Sequence, residues 1–181
     1  SSIEDEVLPE IDALYIGGGF PETNIDAILK NESMMQSVRN AAETGLPVYA
    51  ECGGLIYLTR SLEYNGRKYP LAGVFPVDVK MERKPIGHGY SVARSDRKNP
   101  YFTEGTEIKG HEFHYTHIVS GENETALEVI RGTGCFPGRD GLIKKNVFAS
   151  YLHIHAAGDK HWADGFTKAA KNYKEMRKQQ K

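Results

Sequence analysis

The chain has 181 residues, 39% apolar and 26% charged, which suits a single globular domain with one core. No stretch reaches the roughly 20 apolar residues that a membrane-spanning helix needs, and 23 basic against 24 acidic residues remove the electrostatic ground for a nucleic-acid partner. Two cysteines, Cys52 and Cys135, are too few for a disulfide framework, and the first ten residues lack the basic start and apolar run of an export signal, so a reducing cytoplasm is the expected setting.

In chain order, the apolar, β-prone run 11–16 ends in Gly17, Gly18 and Gly19, which predicts a buried strand feeding a loop that turns sharply or approaches something closely. Residues 31–44 predict a helix, with Met34, Met35, Val38, Ala41 and Ala42 on one face and Gly45 at the stop. Residues 46–50 predict a second strand. After Glu51, Cys52, Gly53 and Gly54, the apolar segment 55–60 begins another helix. The middle, from Tyr64 to about Glu128, predicts several partly antiparallel strands, among them 71–79, 87–93 and 107–119. Gly138 to Gly141 predicts a hairpin turn leading to a strand over 147–153, and a helix over 162–174 closes the pattern. The basic tail, 168–181, reads as a solvated helix end or as a docking segment. Alternating strands and helices followed by more strands predict an α/β domain on a mixed sheet.

The stretch Ala50 to Gly54 (A-E-C-G-G) carries the strongest chemical signal. A cysteine between a buried strand and a helix sits on a strained turn that projects its side chain, and small neighbours permit the tight backbone. The N-terminus of the following helix would favour its thiolate. Such a nucleophile needs an imidazole distant in sequence. His153 and His155 stand at the end of a predicted strand, where open α/β sheets present catalytic groups, and period 2 places them on one face. One would be the base and the other its neighbour. Attack on an amide also calls for oxyanion donors, for which Gly17 to Gly19 and the Gly53 amide are candidates.

A second cluster, His111, His114 and His117, invites a metal reading. Three-residue steps along a strand alternate faces, however, which argues against one shared ion, and Cys135 is not placed to complete a set. Packing near the site, or contact with substrate or a partner domain, are the alternatives. No phosphate-binding loop is present, so no nucleotide site is expected here.

Five segments in order, Y-I-G-G-G-F-P-E (15–22), Y-A-E-C-G-G-L-I-Y-L (49–58), G-H-G-Y (87–90), G-H-E-F-H-Y (110–115) and A-S-Y-L-H-I-H (149–155), resemble the carboxy-terminal class I glutamine amidotransferase domain of the cobyrinic acid a,c-diamide synthase family. The resemblance covers nearly the whole chain, 1–181. It implies a flavodoxin-like mixed sheet flanked by helices, with glutaminase chemistry at Cys52 and His153 and glutamine and oxyanion binding at Gly17, Gly18, Gly19 and Gly53. It also implies an amino-terminal synthetase domain that uses ATP and magnesium on a tetrapyrrole at the domain interface. That domain, and the first strand and helix of the amidotransferase fold, are expected to lie outside this sequence. No cofactor or metal is expected within the domain, and a homodimer is left open.

The class usually carries G-x-C-x-G and H-P-E, whereas here Ala50 replaces the first glycine and the second motif reads His153, Ile154, His155. Cys52 and His153 are therefore expected to act as a dyad, with auxiliary roles open to His155, Glu51, His114 and Tyr115. Nickel-sirohydrochlorin or sirohaem amidation, and a non-catalytic interaction module, are the rival readings.

Overall fold

The computed structural model describes residues 1–155, 157 and 159–179. Its frame is a seven-stranded mixed sheet whose parallel centre consists of β1 (Leu14–Ile16), β2 (Val48–Glu51) and β11 (Val147–Ser150). From β11 the sheet continues antiparallel through β10 (Arg139–Lys144), β9 (Thr125–Arg131), β6 (Gly87–Ser95) and β7 (Glu107–His114). A second sheet has the order β4 (Arg67–Pro70), β3 (Ser61–Tyr64), β5 (Asp78–Met81), β8 (Thr116–Ser120). β7 and β8 are one run of backbone bent at Tyr115, so a single strand serves both sheets.

Alternation along the central strands feeds two cores. Val48 and Ala50 of β2, with Val147 and Ala149 of β11, face a cluster built with α1 (Ile25–Lys30), α2 (Glu32–Glu43) and α3 (Gly53–Leu58). Tyr49 and Phe148 face the opposite way, into a cluster with Trp162 and Phe166 of α4 (Lys160–Gln179). The Phe148 ring is stacked on Tyr49 and meets Tyr101 and Phe102 edge-on.

Several expectations change. The hairpin expected at Gly138 to Gly141 lies elsewhere. Only Pro137 and Gly138 turn, between the mutually bonded Phe136 and Arg139, while Arg139 to Gly141 already belong to β10. The true connection to β11 is Lys145 and Asn146, with Lys145 at φ 53°. Residues 71–79 are not a strand along their length, because Ala72, Gly73 and Phe75 donate their amides to the carbonyls of Tyr57, Thr59 and Leu58. The segment thus satisfies the open C-terminal end of α3 instead of a sheet ladder. α3 itself stops at Leu58, since Thr59 is extended and its hydroxyl donates back to the Ile56 carbonyl.

Where it is described, the basic tail is helical to Gln179 and largely exposed, and two of its cations find partners. Lys174 and Arg177 of α4 pair with Asp12, and Arg177 also with Glu10. Residues 180–181 of that tail lie outside the described residues. Among the described residues, no helix is long and apolar enough to cross a membrane.

Candidate active site

Cys52 follows the last residue of β2 and has φ 45° and ψ −99°, a left-handed backbone that a side chain adopts only under strain, about 1–3 kcal/mol. Two hydrogen bonds hold it there: its amide donates to the Ser150 carbonyl at 2.8 Å, and its carbonyl accepts from Ile56 at 3.0 Å. The glycines after it are required by contact. A Cβ on Gly53 would sit 2.4 Å from the Gly19 carbonyl oxygen, and one on Gly54 would sit 2.4 Å from that of Ile16. The start of α3 is therefore pressed against β1 and the glycine loop. As the first helical residue, Gly53 has no intrahelical acceptor for its amide. α3 has only six residues, so its dipole is weaker than the expected longer helix would supply.

His153 comes to Cys52 from the other side. β11 ends at Ser150, whose hydroxyl accepts from the Leu152 amide and turns the chain off the sheet. His153 is then fixed by a two-way backbone bridge to β7: His111 donates to the His153 carbonyl at 3.1 Å, and His153 to the His111 carbonyl at 2.8 Å. The two imidazoles stack with centroids 4.9 Å apart. Gly18 lies against the His153 ring so closely that a Cβ there would come within 2.5 Å of Cε1. Two residues along β7, the Phe113 carbonyl oxygen lies 3.6 Å from Cys52 Sγ. Alternate residues of an outer strand turn their backbone groups the same way, so one strand touches both members of the pair.

The electrostatics favour a charged imidazole. The neighbouring Cys52 and then the Glu51 carboxylate favour the protonated ring, outweigh burial and lift the His153 pKa from 6.5 to about 9. Glu51 is itself buried, with Oε2 at 3.7 Å from His153 Nδ1. That distance is an ion pair slightly too long for a hydrogen bond.

The other expected residues fall in different places. His155 is exposed and occupied in the turn before α4, where its Nδ1 accepts from the Ala157 amide and its carbonyl from Asp159. The same-face argument for His153 and His155 fails because the chain has left the sheet. His114 is buried under Tyr151, with ring centroids 3.8 Å apart, and bonds to the Thr116 carbonyl and Glu112. Tyr115 marks the bend between β7 and β8, its carbonyl accepting from Glu82 and its ring edge-on to Phe113. His111 and the Phe113 carbonyl are at the site although sequence reading singled out neither for catalysis. Among the described residues no group of three or more His, Cys, Asp or Glu is arranged to hold a metal ion.

Cys135, the other thiol, is sealed 2.7 Å from Asp140. Burial, aided by Asp140, pushes it well above the usual thiol range and leaves it a poor nucleophile. An open groove of about 760 Å³ between α4 and residues 98–104 contains none of the catalytic candidates.

Three solved structures share this fold. A glutamine amidotransferase superposes with a TM-score of 0.64 at 19% identity, covering 88% of this chain and 79% of its own. A putative GMP synthase component from Thermoplasma acidophilum gives 0.63 at 19%, covering 98% and 82%. PurLQS from Thermotoga maritima gives 0.68 at 16%, covering 94% and 83%. Identities this low speak to fold alone, and the fold is the mixed α/β fold of class I glutamine amidotransferases.

The model of the CobB/CobQ-like glutamine amidotransferase domain matches residues 1–161, and the chain belongs to that family. Among its relatives, the cobyrinate a,c-diamide synthase of Magnetococcus marinus is 40% identical over 165 residues, 90% of this chain and 35% of the relative. Those of Archaeoglobus fulgidus (40% over 171 residues; 94% and 37%) and Listeria innocua (43% over 159 residues; 86% and 35%) are similarly placed. The chain thus spans little more than a third of the length of these relatives.

Proposed function

We propose that this domain hydrolyses glutamine at Cys52 and delivers the ammonia to an ATP-dependent synthetase that amidates the a and c carboxylates of cobyrinic acid. The observation that carries the glutaminase half is Cys52 itself, a non-glycine residue held at φ 45° beside an imidazole that favours its protonated form. The tetrapyrrole half rests on the name carried by relatives about 40% identical to this chain. In this reading ATP and magnesium belong to the synthetase portion, where ATP supplies the activation of the carboxylates.

The Cys52 thiolate attacks the side-chain amide carbon of glutamine, and the Gly18 and Gly53 amides receive the oxyanion. His153, protonated, gives its proton to the departing nitrogen, so ammonia leaves and a thioester to Cys52 remains. The neutral His153 then takes a proton from water, whose oxygen attacks the thioester and releases glutamate, restoring thiolate and imidazolium.

The test is Cys52→Ala in the full-length protein, supplied with cobyrinic acid, ATP and magnesium. Glutamine-dependent amidation should fall by about 10³-fold or more, while amidation from free ammonia persists. Retained glutaminase activity would overturn the first half of the reading. Amidation of a sirohydrochlorin in place of cobyrinic acid would overturn the second half and leave the first standing.

A further inference from the structure

We propose that Glu51, the residue immediately before the nucleophile, is the carboxylate that positions His153, so that two adjacent residues address one imidazole from two directions. This rests on the glutaminase reading above. It makes the site a three-residue relay in which the third member comes from β2 and not from the segment after the histidine.

Strand geometry ordinarily forbids this. Neighbouring residues on a strand point to opposite faces, and Glu51 follows that rule: it lies on the Tyr15 and Tyr49 side of β2, where the Tyr15 hydroxyl donates to its Oε2 at 3.1 Å. The left-handed backbone at Cys52 breaks the alternation at the next residue. Sulfur and carboxylate then act on the same ring, both favouring its charged form, with Glu51 Oε2 at 3.7 Å from Nδ1.

The carboxylate is fixed on both oxygens. Oε1 accepts from the Ile154 amide at 3.3 Å, the residue directly after His153, while Oε2 accepts from Tyr15 and faces His153 Nδ1. Glu51 thereby grips both the backbone beyond the histidine and the ring itself. Burial and the carboxylate push the Tyr15 phenol up to about 12, so it remains a donor throughout the working range. A buried carboxylate without a cation nearby would be costly, and among the described residues His153 is the cationic group that pairs with it. With Nδ1 turned to Glu51, Nε2 is the nitrogen left to serve Cys52, which fixes the tautomer that the reaction needs. The gap of 3.7 Å is of the kind that closes when substrate fills a site.

His155 offers no rival for this role, since it is held outward by Ala157 and Asp159. The other face of the His153 ring is covered by His111, which constrains tilt but presents no carboxylate.

The experiment is glutamate release by the full-length protein carrying Glu51→Gln, Glu51→Asp, His155→Ala or Cys52→Ala. Glu51→Gln should lower kcat by about 10²-fold with KM within about 3-fold. It should also shift the alkaline limb of the pH profile, which reports His153, towards acid. Glu51→Asp keeps the charge at a longer reach, so it should restore the limb and part of kcat. If Glu51→Gln does not fold, Glu51→Asp alone decides: wild-type kcat there would overturn the proposal. An unmoved alkaline limb in folded Glu51→Gln, or a greater loss in His155→Ala than in Glu51→Gln, would overturn it too. Activity surviving in Cys52→Ala would instead remove the glutaminase reading on which the relay depends.

Discussion

The parallel centre of the large sheet and its antiparallel arm contribute to the site by different physical routes. The centre supplies side chains: Cys52, Glu51 and His153 all stand just at or beyond the carboxyl ends of β2 and β11, where a parallel sheet opens. The arm supplies backbone, together with the His111 ring that stacks on His153. β7 brings the His111 amide and carbonyl to His153 and the Phe113 carbonyl to Cys52. Chemistry is thus concentrated in the centre, and placement depends on how the arm curls back to meet it.

The largest effect that separates the two should come from the arm's own anchor. Glu112 of β7 is buried, and its carboxylate accepts from Ser91, Thr133 and Gly134 while facing His114. Burial works to raise its pKa, but these hydrogen bonds win and hold it at about 2. Glu112→Ala strands all of these donors and should destabilise the domain by about 3–5 kcal/mol in denaturant unfolding. A loss under about 1 kcal/mol would mean that the arm is held by something else.

Gly110→Ala tests the junction. The added methyl would lie 2.0 Å from the His153 carbonyl oxygen, so the bridge must give way. With the nucleophile untouched, kcat for glutamate release should fall by about 10–100-fold, the cost of misplacing a catalytic group by about 1 Å. Wild-type kcat would show that His153 is placed by the centre alone.

The smallest expected effect is on pH. Because the fold lifts His153 from 6.5 to about 9, its contribution to stability is fully present below pH 6.5 and is lost as pH rises through about 9. Melting temperatures should decline across that window in the parent chain and decline less in His153→Gln. Equal slopes would dissociate the imidazolium from the fold's stability.

The centre was largely legible in the sequence because continuous apolar runs mark buried strands, and small residues around Cys52 mark a tight turn. The arm was legible only as strands. What β7 touches depends on a closure between residues 61 positions apart in the case of Cys52 and Phe113, and no local pattern encodes it. Glu51 was visible as a neighbour of the nucleophile, but strand periodicity would send it away from Cys52's target. Only the φ of Cys52 reverses that. The hairpin between β3 and β4 did carry a local signal, Asn65 and Gly66 at φ 50° and 73°, the pair that favours a tight hairpin turn. Residues 71–79 misled because burial alone does not tell a strand from a loop that caps a helix end.

The bridge between His111 and His153 has a consequence for solubility. β7 is the last strand of its sheet, and such a strand ordinarily offers open amides and carbonyls to any passing chain. Here the segment after β11 covers the middle of that row. The contact that seats the imidazole therefore also shields the protein from strand-to-strand self-association, and losing it would be felt as aggregation as well as lost turnover.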